Sequence, residues 1–329
     1  MKMSERKVTF LEAISQAIRE EMQRDDAVFL LAEDISAFDE SFNINSDLLE
    51  EFGSDRVIDT PMSEAALIGS VVGAALMGMR PIAEMSMIGL NVGNFEHLMH
   101  MAMQMYWRTI TSMPIVIRGS SPGVSMGGLS TPEARFFHTP GVRVVVPSTT
   151  YDAKGMLKAA IRNNDPVLYL EHMLLYHMPE LCEELPAEDY TVPLDKAIIR
   201  REGEDMTILT YGVMVHQCLR VAQVLEEDDD LAVEVLDLRS LSPLDSDAIV
   251  ESVKRTNKVL IVHEGALASS IGTELSAMIA DHLYDEYLDG PITSLAPPEV
   301  SFSYALSREQ RYFPSTQKIL SAARELAAY

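Results

Sequence analysis

The run Asp59-Thr60-Pro61-Met62-Ser63-Glu64 sets the Glu64 carboxylate at the mouth of an apolar stretch. The residues that follow (Ala65, Ala66, Leu67, Ile68, Val71, Val72, Ala74, Ala75, Leu76) predict a helix over 63–78, buried on nearly every face. Pro61 favours an abrupt start, and Ser63 is placed to cap the free backbone N–H groups. A carboxylate there gains from the positive end of the helix dipole yet borders a dry core. Two roles fit: an ordinary acidic first turn, or a group that exchanges a proton with something bound.

Gly69, Gly73 and Gly78 lie on the same helix. Each glycine costs a helix about 1 kcal/mol against alanine. Three of them imply close approach by another backbone, within the fold or across a subunit interface. No glycine-rich turn leads into Lys-Ser/Thr, and no strand-Gly-x-Gly-x-x-Gly-helix unit occurs. The chain thus shows no diphosphate cradle of its own, and a phosphorylated cofactor would need a partner chain. Met77, Met79, Met85, Met87, Met99, Met101, Met103 and Met105 crowd one stretch. Methionine adapts to irregular space, which suits core filler first and a pliable substrate channel as the sharper alternative. His97 and His100 could share a helix face, but no His-Glu-x-x-His spacing accompanies them, and no Gly-x-Ser-x-Gly elbow is present.

These groups need elements to position them. Phe10, Leu11, Ile14, Ala17, Ile18 and Met22 keep helical spacing, and Val28-Phe29-Leu30-Leu31 reads as a buried strand. A strand near 81–84, a helix over 94–107 and strands at 114–118 and 142–147 follow. A helix over 151–163 and a strand at 167–171 complete the set. Such alternation predicts a parallel sheet covered on both faces. Residues 172–195, with Pro179, Pro186 and Pro193 among acidic residues, read as a surface crossing. A second set then begins, with strands at 207–210, 233–236 and 259–262. Its helices are predicted near 213–227, 245–255, 270–283 and 315–327. The fold class is α/β, in two parallel-sheet domains.

At 329 residues the chain can bury two cores. A net charge of −24 argues against a nucleic-acid surface, and no apolar run is long enough to span a membrane. Two cysteines make neither a disulfide framework nor a zinc site, and no signal-peptide core is visible, so the expected location is cytoplasmic.

Several runs carry a resemblance along almost the whole chain. They include Val8-Thr9-Phe10-Leu11-Glu12-Ala13-Ile14, Ala32-Glu33-Asp34 and Phe52-Gly53-Ser54-Asp55-Arg56-Val57-Ile58-Asp59-Thr60-Pro61. Gly78-Met79-Arg80-Pro81, Leu170-Glu171-His172, Tyr211-Gly212, Asp237-Leu238-Arg239 and Pro243-Leu244-Asp245 continue it. The chain resembles the beta subunit of the thiamine-diphosphate-dependent, decarboxylating component of 2-oxo acid dehydrogenase complexes of the pyruvate, branched-chain and acetoin types. The resemblance implies a transketolase-like pyrimidine-binding domain over 1–175, a linker over 176–195 and a transketolase C-terminal-type domain over 196–329. It implies a heterotetramer of two alpha and two beta subunits, with the alpha subunit holding the diphosphate and magnesium. A lipoyl acyltransferase core is a further implied partner.

By the same resemblance Glu64 bonds the ring nitrogen of the cofactor's aminopyrimidine and activates it. Glu33 joins an acidic relay or, on the plain reading, holds a strand end. Met85, Met87 and Ile88, with His97, line the pocket. Backbone carbonyls of Ala160, Asn163 and Asp165 would hold a potassium ion. The chain also departs from the pattern. Relatives carry a His-Ser-Gln-Ser-Pro-Glu-Ala type run where this sequence has Gly128-Leu129-Ser130-Thr131-Pro132-Glu133-Ala134, so the family's active-site histidine falls on Gly128. Met85-Ser86-Met87-Ile88-Gly89-Leu90 replaces an aromatic-bearing run, which removes a stacking face. The expected activity is decarboxylation of a 2-oxo acid, or acyloin cleavage, with transfer to an acceptor such as lipoamide. A carboligase forming acyloins and a non-catalytic structural subunit are the alternatives.

Overall fold

The computed structural model describes residues 7–35, 45–85, 109–121, 132–283, 286–298 and 312–329. They form two compact units, one of residues 1–121 with 138–194, the other of 122–137 with 195–329.

The first unit opens with α1 (Phe10–Arg24), started by a reciprocal cap. Thr9 Oγ1 accepts the Glu12 N–H at 3.1 Å, and the Glu12 carboxylate accepts the Thr9 N–H at 2.9 Å. There follow β1 (Val28–Glu33), α2 (Asn45–Phe52), β2 (Val57–Thr60), α3 (Glu64–Leu76) and β3 (Arg80–Met85). The remaining elements are β4 (Val116–Ser121), β5 (Arg143–Val145), α4 (Thr150–Arg162), β6 (Val167–His172) and the short α5 (Met173–Tyr176). The strands run in the order β5-β6-β4-β3-β1-β2, every pair parallel. All six residues of β1 and of β6 are buried, as a sheet covered on both faces requires. From β1 the chain steps to β2 on one side and to β3 on the other. That reversal falls between β1 and β3, and open α/β sheets take ligands beside the carboxyl ends of the strands at such a point.

The second unit contains β7 (Ile198–Arg201), β8 (Met206–Thr210), α6 (Met214–Asp229), β9 (Val233–Asp237) and β10 (Ser240–Ser242). It continues with α7 (Ser246–Thr256), β11 (Val259–Val262), α8 (Ile271–Leu283), β12 (Thr293–Leu295) and α9 (Thr316–Ala327). Strand order is β12-β11-β8-β9-β7, parallel except for the antiparallel edge strand β7. Its reversal falls between β8 and β11. Thr210, Cys218 and Glu234 sit among its buried residues, and burial pushes the Cys218 thiol up to about 12.

Two expectations about α3 need correction. The Ser63 side chain makes no capping bond. The helix is not buried on nearly every face: Leu67, Ile68, Val71, Val72 and Ala75 are buried, whereas Ala65, Ala66, Gly69, Ser70 and Gly73 are exposed. Small apolar residues gave the sequence an all-round apolar character that hid an open face. The helix expected over 94–107 lies outside the described residues.

Candidate active site

Hydrogen bonds between the ends of β1 and β2 build the approach to Glu64. The Asp34 N–H donates to the Thr60 carbonyl at 2.9 Å, and the Ile35 N–H to Asp59 Oδ1 at 2.9 Å. Thr60 Oγ1 donates to the Ala32 carbonyl at 3.2 Å. Asp34 holds φ 54°, a left-handed conformation that aspartate tolerates and that turns the chain sharply after Glu33. The side chains of Asp59 and Thr60 thereby fix the strand ends. Pro61 follows, and α3 starts at Glu64 itself, half-buried with its carboxylate at the helix's positive end.

Glu33 ends β1 and is buried beside that junction, in register with Thr60. Met85 ends β3 and is buried as well. Glu33 and Met85 therefore stand on the two strands that flank the topological reversal, and Glu64 starts the helix that follows β2. Met87, Ile88, His97 and Gly128 lie outside the described residues.

Beside Met85, a charged group emerged that the sequence reading did not single out. Arg118 on β4 grips Glu171 on β6 with two bonds, Nε to Oε1 at 2.7 Å and Nη2 to Oε2 at 2.9 Å. Its Nη1 meets the Glu84 carboxylate on β3, and Tyr176 donates its hydroxyl to Glu171 Oε2 at 2.6 Å. Burial alone would lower the guanidinium, but Glu171 and Glu84 outweigh it and hold the charge firmly on Arg118. A cation closing an otherwise apolar strand, Pro114-Ile115-Val116-Ile117-Arg118, was the signal available. A buried arginine must find carboxylates.

The residues considered for potassium lie at the end of α4. The Ala160 carbonyl accepts the Asn163 N–H at 3.1 Å, and Asn163 Oδ1 accepts the Asp165 N–H at 2.8 Å. Arg80 donates to the carbonyls of Ile161 at 2.9 Å and of Asn163. Asp165 pairs with Arg143 at 3.2 Å. A cationic side chain thus already serves this loop. Among the described residues no cluster of three or more His, Cys, Asp or Glu side chains is arranged for a metal. No helix among the described residues is long and apolar enough to cross a membrane.

The comparisons agree along the chain. Residues 6–178 match the transketolase pyrimidine-binding domain, and residues 195–319 the transketolase C-terminal domain. The 2-oxoisovalerate dehydrogenase subunit beta of Bacillus subtilis (strain 168) is 41% identical over 329 residues, covering 98% of this chain and 99% of the relative. The pyruvate dehydrogenase E1 component subunit beta of the same organism is 36% identical over 331 residues, covering 98% and 99%. In three dimensions the chain is similar to a split-gene transketolase described as an inactive beta4 tetramer. The TM-score is 0.74 at 20% identity, over 98% of this chain and 99% of that one, which speaks to fold. The chain belongs to the thiamine-diphosphate-dependent family of beta subunits of the 2-oxo acid dehydrogenase E1 component.

Proposed function

We propose that this chain is the beta subunit of an enzyme that decarboxylates a 2-oxo acid with thiamine diphosphate and passes the remaining acyl or aldehyde unit to an acceptor such as lipoamide. Thiamine diphosphate supplies the carbanion and the electron sink when bound. The observation that carries the reading is Glu64: a half-buried carboxylate on the first residue of α3, behind a strand end fixed by Asp59 and Thr60. There it can share a proton with a ring nitrogen of the aminopyrimidine. Glu33 supplies a second, buried carboxylate at the neighbouring strand end, and Met85, Met87 and Ile88 shape an apolar wall. Magnesium and the diphosphate belong with an alpha subunit, in keeping with the missing phosphate cradle. Potassium at 160–165 would share the Ile161 and Asn163 carbonyls with Arg80.

The test uses the assembly of this chain with its alpha partner. Decarboxylation of 2-oxoisovalerate and of pyruvate is followed with an artificial electron acceptor. Glu64→Gln is expected to lower turnover about 10²–10⁴-fold, the weight of one positioned acid–base group, with assembly intact. Undiminished turnover would overturn the assignment of Glu64. An assembly that forms but never turns over would mark a structural subunit instead.

Gly128 favours a second reading. By the family resemblance an imidazole that processes the bound intermediate would stand at position 128, where this chain has glycine. A carboligase releasing acyloins fits that loss. Acyloin accumulating while lipoamide stays unacylated would select it.

A further inference from the structure

The charged group beside Met85 runs from the core outward. The Glu171 side chain is 0% exposed, that of Arg118 3% and that of Glu84 21%. Its inner end is held from several sides. Glu171 accepts two bonds from Arg118 and one from the Tyr176 hydroxyl. The Tyr176 ring in turn stacks on the buried Phe10 of α1, with centroids 6.2 Å apart. The third Arg118 nitrogen, Nη1, reaches the Glu84 carboxylate. A guanidinium is planar and presents its donors in a fixed fork, so the two bonds to Glu171 also set where Nη1 points. Glu84 is the outer end of an arm anchored in the core.

Strand register ties that arm to the candidate site. Glu84 pairs with Ala32 on β1 and with Arg118 on β4. One residue further along stand Glu33 on β1, Met85 on β3 and Gly119 on β4, with Gly119 the partner of Met85. Gly119 has no side chain to set against Met85. The side-chain support that β4 gives this end of β3 therefore comes one residue earlier, from Arg118 on Glu84. All these residues, with Glu64, lie in the first compact unit.

We infer that Arg118 is a positioning residue for the proposed thiamine pocket: gripped by Glu171, it fixes the Glu84 carboxylate and with it the end of β3 that carries Met85. This deepens the proposed function and rests on it, since the end of β3 concerns the cofactor only if the cofactor binds at that reversal. Arg118 is not itself an anchor for a substrate carboxylate, because its fork already meets Glu171 and Glu84. An arm of this kind sets how well the pocket is formed before anything enters it. Its loss should read as weaker binding rather than as a lost proton transfer.

The experiment uses the full assembly with its alpha partner and measures binding of thiamine diphosphate with magnesium by calorimetry, beside turnover and the urea midpoint. Arg118→Met strands the Glu171 charge and lowers the midpoint. Arg118→Met/Glu171→Gln relieves that charge and recovers much of the midpoint, yet leaves Glu84 without its arm. Arg118→Lys keeps a cation but loses the fork. The dissociation constant is expected to rise about tenfold in the double variant and in Arg118→Lys. Turnover at saturating cofactor should fall no more than about threefold, whereas Glu64→Gln loses turnover instead. Wild-type affinity in the double variant, or an affinity that merely follows the midpoint across the three variants, assigns Arg118 to the fold alone and overturns the inference. Should Arg118→Met not fold, the other two variants decide. A wild-type assembly that neither binds thiamine diphosphate nor turns over overturns the proposed function and this inference with it. A wild type that binds, with variants that bind as tightly, overturns the inference alone.

Discussion

The two sheets reverse strand order at equivalent places, but their carboxyl ends have opposite contents. In the first domain the reversal between β1 and β3 is bordered by Glu33, Glu84 and Met85, with charge arranged to one side by Arg118 and Glu171. In the second, the reversal between β8 and β11 is occupied by Tyr211, His263 and Ser270, bonded or stacked on one another. One framework thus ends its strands at the reversal on carboxylates and a methionine, and the other on stacked rings and a hydroxyl. The difference shows that the fold alone does not make the site. What makes it is which side chains end the strands.

The sharpest way to break the comparison is to unbalance the first edge. Arg118→Met would leave Glu171, 1% exposed, as a buried carboxylate without its bidentate partner. A loss of about 3–5 kcal/mol in unfolding free energy is expected from urea titration. The double variant Arg118→Met/Glu171→Gln should recover a good part of it, because neutralising the stranded charge removes most of the penalty. Additive losses would mean that the pair is not the unit described here.

The second edge gives a pH signature. Burial pushes His263 down to about 4 from the ordinary 6.5. Its folded value lies below its unfolded one, so the unfolded chain takes up a proton that the folded chain refuses. The contribution is fully present above pH 6.5, fades as pH falls towards 4, and amounts to at most about 3 kcal/mol. Stability measured between pH 7 and 4 should therefore drop less steeply in His263→Phe than in the wild type. Parallel curves would remove His263 from the account.

Much of this was legible in the sequence. The buried strands at 28–33, 206–210 and 259–262 announced themselves as β-branched and leucine-rich runs, and Glu64 stood out because Pro61 and an apolar helix isolate it. The edge strand β7 did not, because Ile198-Ile199-Arg200-Arg201 is half-buried throughout and has neither strict alternation nor a continuous apolar run. The Arg118 network was hidden for another reason. Its members come from β3, β4, β6 and α5, and nothing in their spacing reveals that parallel pairing brings their carboxyl ends together. Glu133 was quoted only as part of a motif. Its partner Tyr211 lies 78 residues away.

The smallest expected effect concerns the open face of α3 and separates what this chain needs from what its assembly needs. A Cβ added at Gly73 would meet no atom within 4 Å, so alanine fits there without displacing anything. In the chain alone, Gly73→Ala should raise stability by about 0.5–1 kcal/mol, since glycine is the poorer helix former. A helix-weakening residue on an exposed face fits a close approach by something outside the chain. The alpha partner is the natural occupant in the proposed heterotetramer, and a methyl group at the point of closest approach would push the two backbones apart. Sedimentation of the mixed subunits should then show weaker assembly in Gly73→Ala, by about tenfold in dissociation constant, alongside the firmer isolated chain. A variant that gains stability and assembles as tightly as the wild type would place the subunit seam elsewhere on the domain.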